Sequence, residues 1–253
     1  TLFPYTTPLP ISAINVSHYR FTVSSKGAIV YGIGAIKGVG QAAIEDVLNE
    51  RKINGVFKDL YDFCKRVDLR KVNRRVLEAL IKAGAFDEFG LNRSAHMNQL
   101  PIILKVAEQC AKMLETGQHD IFSSGGDNTS SATLENSEEY GSQIAAWSDN
   151  ERLTEEKQVL GLYLTGHPIS QYEEELKFII HGQLATILAD AERSKAKLEA
   201  RVAGLVVDMR TRQTKNGKNM GFAVIDDRTG RMEVAAFSTT FEKYRDLLVK
   251  DTL

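Results

Sequence analysis

Apolar positions recur at helical spacing through the first half of the chain and alternate through its last quarter. Ile33 and Ile36 mark a short helix. Ala43, Ile44, Val47 and Leu48 mark one face of a second helix, which starts near Gln41, runs to about Asn49 and stops before Asn54-Gly55. Between the two lies a tight turn, Gly38-Val39-Gly40. Phe57, Leu60, Tyr61 and Cys64 predict another short amphipathic helix. Val72 to Ala83 predicts a stronger one, with Val72, Val76 and Leu80 aligned beside Leu77 and Ile81 and with Gly84 as its C′ residue. Asn92 or Ser94 caps a following helix that continues to Glu115, with Pro101 either kinking it or opening a new one, and Gly117 ends it. Upstream, the β-like runs Tyr19–Val23 and Ala28–Tyr31 predict a hairpin. Residues 1 to about 14 read as an extended Pro- and Thr-rich lead-in, either native or left from cloning.

The helical pattern lapses after Gly117. The polar run SSGGDNTSSATLENSEE reads as a flexible linker. Order resumes near Trp147. Ser148 with Glu151, and Ser170 with Glu173, read as capping boxes on either side of a short buried segment, GLYLTGHP, in which His167 is a turn residue rather than a ligand or base. From Leu198 the period becomes two. ARVAGLVVDMRTRQ, GFAVIDD and RMEVAAF predict three antiparallel strands with turns at Lys215–Lys218 and Thr229-Gly230, and a helix follows from about Thr240 to Leu248. Three antiparallel strands and then a helix open a five-stranded OB barrel, and the chain stops before the last two strands. An incomplete barrel exposes sheet edges, so a fragment of a longer protein is expected.

Composition narrows the class without naming a function. The 253 residues are 43% hydrophobic and 26% charged, ordinary for a globular protein, with room for one large or two small domains. No apolar run approaches membrane-spanning length and no signal-peptide layout is visible, so no membrane partner and a cytoplasmic location are expected. Cys64 and Cys110 lack metal-like spacing and sit at apolar helical positions, as buried free thiols would. The five histidines are scattered, so neither a metal site nor a cofactor is expected. Net charge is −1, but unevenly spread: Arg20 to Arg93 holds 14 Lys and Arg against 9 Asp and Glu, whereas Gln118 to Leu160 holds 2 against 9.

The candidate chemistry centres on Lys37, Gly38, Val39 and Gly40. Backbone N–H groups at a glycine turn just before a helix N-terminus cradle a phosphate whatever the base sequence, and Lys37 adds a point charge. The stretch GIGAIKGVGQAAI resembles the helix-hairpin-helix motif of DNA-binding proteins. Val72 to Gly90 looks like a second, degenerate copy packed on the first. Arg70, Lys71, Arg74 and Arg75 crowd its start as either a solvated face or a DNA-backbone contact, with Arg74 and Arg75 the candidates carried forward. On the first hairpin of the OB portion, Arg210, Arg212, Lys215 and Lys218 stand where such barrels track a backbone, as either a solvated loop or a phosphate contact. The adjacent pair Asp226-Asp227 reads as a turn rather than a metal site, because neighbours on a strand point to opposite faces. The apolar pair Ile121-Phe122 at the mouth of the linker has the character of a peptide that docks in a partner's pocket.

Taken together, YGIGAIKGVG, NRRVLEALIKAGAFDEFG, QHDIF, LGLYLTGHP and DDRTGRMEV follow one another as in the alpha-subunit family of bacterial DNA polymerase III, over roughly residues 15 to 253. The resemblance implies an α+β multidomain chain downstream of the catalytic palm, a mainly helical tandem helix-hairpin-helix domain followed by a truncated antiparallel OB fold. Its expected divisions are a lead-in and hairpin (1–31), the tandem domain (32–117), a clamp-binding peptide (118–122), an acidic linker (123–146), a helical connector (147–197) and the OB start (198–253). It also implies that Gln118, Asp120, Ile121 and Phe122 bind the sliding clamp. Burying Ile121 and Phe122 is worth about 3–6 kcal/mol before ordering costs, so the peptide alone should bind no tighter than about micromolar. Duplex DNA at the hairpin, single strand at the OB portion, the clamp and, through the parent, other replicative subunits are the implied partners. Polymerase Mg²⁺ would belong to the parent's active site, and no catalytic residue is expected here. Two alternatives stay open: a helix-hairpin-helix nuclease or glycosylase using Lys37, and a protein-interaction scaffold that does not bind DNA.

Overall fold

The computed structural model describes residues 13–23, 27, 29–116, 143–194 and 197–253. One compact unit ends at Thr165 and a second begins at Gly166.

The first unit is helical. Two-residue strands, β1 (Thr22–Val23) and β2 (Ile29–Val30), pair antiparallel, a shorter hairpin than the sequence suggests. A 3₁₀ turn at Ile33–Ala35 leads into the Gly38–Gly40 reversal and α1 (Gln41–Asn54). Helix α1 runs past Asn49 until Gly55, at φ +81, turns the chain away. Then come α2 (Leu60–Arg66), α3 (Arg74–Lys82), a 3₁₀ turn at Asp87–Phe89, α4 (Arg93–Thr116) and α5 (Asp149–Leu160). The starts are capped locally: Asp59 accepts from the Asp62 N–H at 2.7 Å, Asn73 from Val76 at 3.2 Å, and Asn92, not Ser94, from Ala95 at 2.8 Å. At α5 the Ser148–Glu151 capping box is complete in both directions. Pro101 opens no new helix. It lies inside α4, on an exposed position, where the missing N–H costs only one intrahelical bond. The core gathers Ile33, Ile36, Ile44, Phe57, Phe63, Leu77, Leu80 and Phe86, each no more than 2% exposed. Cys64 lies inside it, and burial, with Asp59 adding, pushes its thiol up to about 12. Cys110, expected to be buried, is only half-buried, with its Sγ 3.7 Å from the Tyr61 hydroxyl.

The second unit opens with a 3₁₀ helix at Pro168–Tyr172, then α6 (Glu173–Leu176) and α7 (Leu184–Ser194). The expected Ser170–Glu173 capping box does not form. Pro168 starts the helix three residues earlier than a Ser170 cap would, His167 Nδ1 caps it by accepting the Ile169 N–H, and Ser170 Oγ accepts from Arg228 instead. Strands β3 (Leu205–Gln213), β4 (Asn219–Asp226) and β5 (Arg231–Ala236) form an antiparallel sheet in that order, followed by α8 (Ser238–Tyr244). Strand β3 begins at Leu205 rather than near Ala200, because its partner β4 ends opposite, at Asp226. A bulge between Val206 and Asp208 shifts the register there. Leu184, Val206, Ala223 and Ile225 form the core of this unit, and Phe241 of α8 lies over Gly221, where a Cβ would collide with its ring.

Candidate nucleic-acid interface

Two glycines do different work at the first hairpin. Gly38 sits at φ +85, a conformation side chains rarely adopt. Gly40 has φ −78 and ψ 155, open to any residue, and a Cβ there would meet nothing within 4 Å. The fold therefore requires glycine at 38 and leaves 40 free. Val39 between them is buried, and its N–H donates to Ile36 O at 3.2 Å, so it anchors the turn. The Lys37 N–H is also taken, by Val159 O at 2.8 Å. The N–H groups of Gly38, Gly40, Gln41 and Ala42 have no acceptor among the described residues, and all four residues are exposed. Gly40 caps α1 without a side chain to offer, so the first turn of a 14-residue helix presents bare N–H groups and the positive end of its dipole.

A groove of about 540 Å³ adjoins this turn, lined by Lys37, Gly38, Asn73, Arg75, Lys82 and Gln158 among others. Of the basic cluster before and within α3, only Arg75 lines it. Arg70 lies beside Asp68 at 3.0 Å, Lys71 beside Asp46 at 2.9 Å and Arg74 beside Glu78 at 2.8 Å, so these three exposed charges each already face a carboxylate. Lys82 pairs with Glu155 at 2.7 Å, leaving Lys37 and Arg75 without an acidic partner among the described residues.

The turn after α3 is built differently. Its positive-φ glycine, Gly84, is followed by Ala85 and Phe86, both buried, where the first hairpin has Val39 and exposed Gly40. The Gly84 and Ala85 N–H groups are spent on Ile81 O and Leu80 O, both at 2.9 Å. The guanidinium of Arg93 fills the space a Cβ on Gly84 would need. Arg93 is 6% exposed and holds Asp87 at 2.8 Å, Glu156 at 3.4 Å and the Lys82 carbonyl at 3.0 Å. Burial opposes its charge, yet the two carboxylates keep its pKa above the usual guanidinium range. Glu156, fully buried, also accepts from the Leu164 and Thr165 N–H groups at 2.8 and 2.9 Å. Sequence reading missed this triad. The small residues Ala83-Gly84-Ala85 were a sign of close packing, but the partner lies 63 residues from Arg93.

In the second unit, Lys215 and Lys218 are exposed on the connection between Gln213 and Asn219, with no acidic partner among the described residues. Arg210 is tied to Glu233 at 3.0 Å, and Arg212 lies 6.0 Å from the ring of Phe222. Asp226 and Asp227 do not fit a two-metal site. Asp226 accepts the Arg228 N–H and the Arg231 guanidinium, while Asp227 accepts the N–H groups of Leu184, Thr229 and Gly230. Those oxygens bind the β4–β5 turn to the start of α7. Among the described residues no group of three or more His, Cys, Asp or Glu could hold a metal ion, and no helix is long and apolar enough to cross a membrane.

Two families match the chain: the helix-hairpin-helix motif over residues 9–96 and the OB-fold nucleic acid binding domain over 200–253. DNA polymerase III subunit alpha of Escherichia coli (strain K12) is 43% identical over 240 residues, which is 95% of this chain and 20% of that protein. Those of Vibrio cholerae and Pseudomonas aeruginosa are 42% and 38% identical over the same 95% of this chain, and over 20% and 21% of their own lengths. Nearly the whole chain is homologous to one stretch of DNA polymerase III subunit alpha. It spans about a fifth of the length of the curated relatives it matches. Along this chain, the region that matches the helix-hairpin-helix motif precedes a small three-stranded sheet in the region that matches the OB-fold domain. Gln118, Asp120, Ile121 and Phe122, the residues compared with the clamp-binding motif, lie outside the described residues.

Proposed function

We propose that this chain is the DNA-holding and clamp-tethering segment of a replicative DNA polymerase. The exposed, acceptor-free N–H groups of Gly38, Gly40, Gln41 and Ala42 carry the proposal. They form a cradle that reads phosphate and ignores base identity, with Lys37 and Arg75 as the nearby charges. Homology to DNA polymerase III subunit alpha supports the replicative setting. Duplex DNA is assigned to this hairpin, and single strand to Arg210, Arg212, Lys215 and Lys218 on the sheet, of which Arg210 is the weakest candidate because Glu233 already holds it. Gln118, Asp120, Ile121 and Phe122 are proposed to dock on the sliding clamp, a reading that rests on sequence alone. Nucleotidyl transfer and its Mg²⁺ are assigned to other parts of the longer protein, with a cytoplasmic location.

Two measurements test these assignments. Anisotropy of a labelled 30-base-pair duplex should report weak binding that falls steeply between low and high salt, since phosphate contacts release counterions. Affinity indifferent to salt would sink the phosphate reading. Calorimetry against the cognate clamp should show binding that disappears in a Gln118→Ala/Phe122→Ala variant, and equal binding by both forms would make the peptide match a coincidence.

A further inference from the structure

The two glycine turns of the helical unit look alike in sequence and differ in chemistry, and the difference bears on how much of a duplex this unit can hold. The first turn exposes Gly40 and leaves its N–H groups free. At the corresponding place, the second turn has Phe86, 1% exposed, and its N–H groups are used by Leu80 and Ile81. Arg93 plugs the turn from inside, with both of its acidic partners drawn from the protein. The face left to solvent carries Glu88, whose charge repels phosphate.

We infer that only the first hairpin is a phosphate site, that the second is a strut, and that the helical unit therefore grips one strand of a duplex. The contact path runs from the Gly38–Ala42 cradle into the adjoining groove, where Arg75 meets a neighbouring phosphate of the same strand. The inference rests on the proposed DNA contact and specifies its partner as a single phosphodiester backbone. Two free cations on that path predict a plot of log affinity against log salt with a slope of about −2, at about −0.9 per phosphate. Engagement of both turns would steepen the slope to about −4.

The test titrates the full 253-residue chain on a labelled 30-base-pair duplex over a range of salt. The plot of log affinity against log salt should have a slope of about −2. Arg75→Ala should flatten the salt slope by about 1. Glu88→Gln, which removes a negative charge at the second turn and keeps an oxygen to accept the Asn15 N–H, should leave affinity within about twofold. A slope near −4, or marked tightening by Glu88→Gln, would overturn the single-strand inference while leaving the DNA contact standing. Failure of the unmodified chain to bind at low salt would overturn both.

Discussion

Gly40→Ser separates the needs of the fold from those of a ligand. Its backbone, at φ −78 and ψ 155, suits any L-residue, and the new side chain would enter open space. Serine is also a better N-cap than glycine by a few tenths of a kcal/mol, because its hydroxyl accepts one of the bare N–H groups of the first turn. Thermal unfolding should therefore be unchanged or rise by about 1 °C. The bound phosphate meets the opposite change. It loses one N–H donor to the serine and finds a side chain in its path. A hydrogen bond to a charged group is worth about 1.5–3 kcal/mol, so duplex affinity should fall about 10- to 100-fold. Anisotropy titration at 50 mM salt, beside circular-dichroism melting of the same samples, reads both quantities. Unchanged affinity with an unchanged melting temperature would show that the cradle is not the contact. A drop of more than about 5 °C would show that the fold itself needs glycine at 40.

Two further outcomes follow from the buried charges. Glu156→Leu leaves the Leu164 and Thr165 N–H groups without an acceptor and removes one of two carboxylates from Arg93, so the first unit should lose about 3 kcal/mol in urea unfolding. A loss under about 1 kcal/mol would mean that Asp87 alone suffices for Arg93. Burial lowers the pKa of His96, packed against Phe86 and Phe89, and also that of His167, where the charge of Asp226 pulls the other way. The unfolded chain then takes up these protons first, as pH falls through 6.5, so stability is complete above that pH and declines below it. The urea midpoint should fall from pH 7.5 to pH 5.5, and a flat profile would contradict this.

Much of the helical unit was legible because its signals are local. Asn92 and Ser148 cap N–H groups three residues away, and Gly38 answers a steric demand of its own backbone. Where a local signal failed, a neighbour in sequence or a strand partner had taken over. Pro168 started its turn before Ser170 could act as a cap, and β3 could be no longer than the strand beside it.

The sequence by itself determined the order of helices and strands, the glycine turn at Gly38–Gly40 and the similarity to DNA polymerase III subunit alpha. The tertiary structure decided which charges face a common groove. Arg70, Lys71, Arg74 and Arg75 are indistinguishable as a run of basic letters, yet the first three each lie beside a carboxylate, Asp68, Asp46 and Glu78, while Arg75 shares a groove with Lys37. The same holds for the two glycine turns, one open and one plugged by Arg93 through a carboxylate contributed by α5. A cap or a turn depends on torsions within a few residues. Lys71 reaches Asp46 across 25 residues and Arg93 reaches Glu156 across 63, and only the packed core brings groups so far apart in the chain within ion-pair distance.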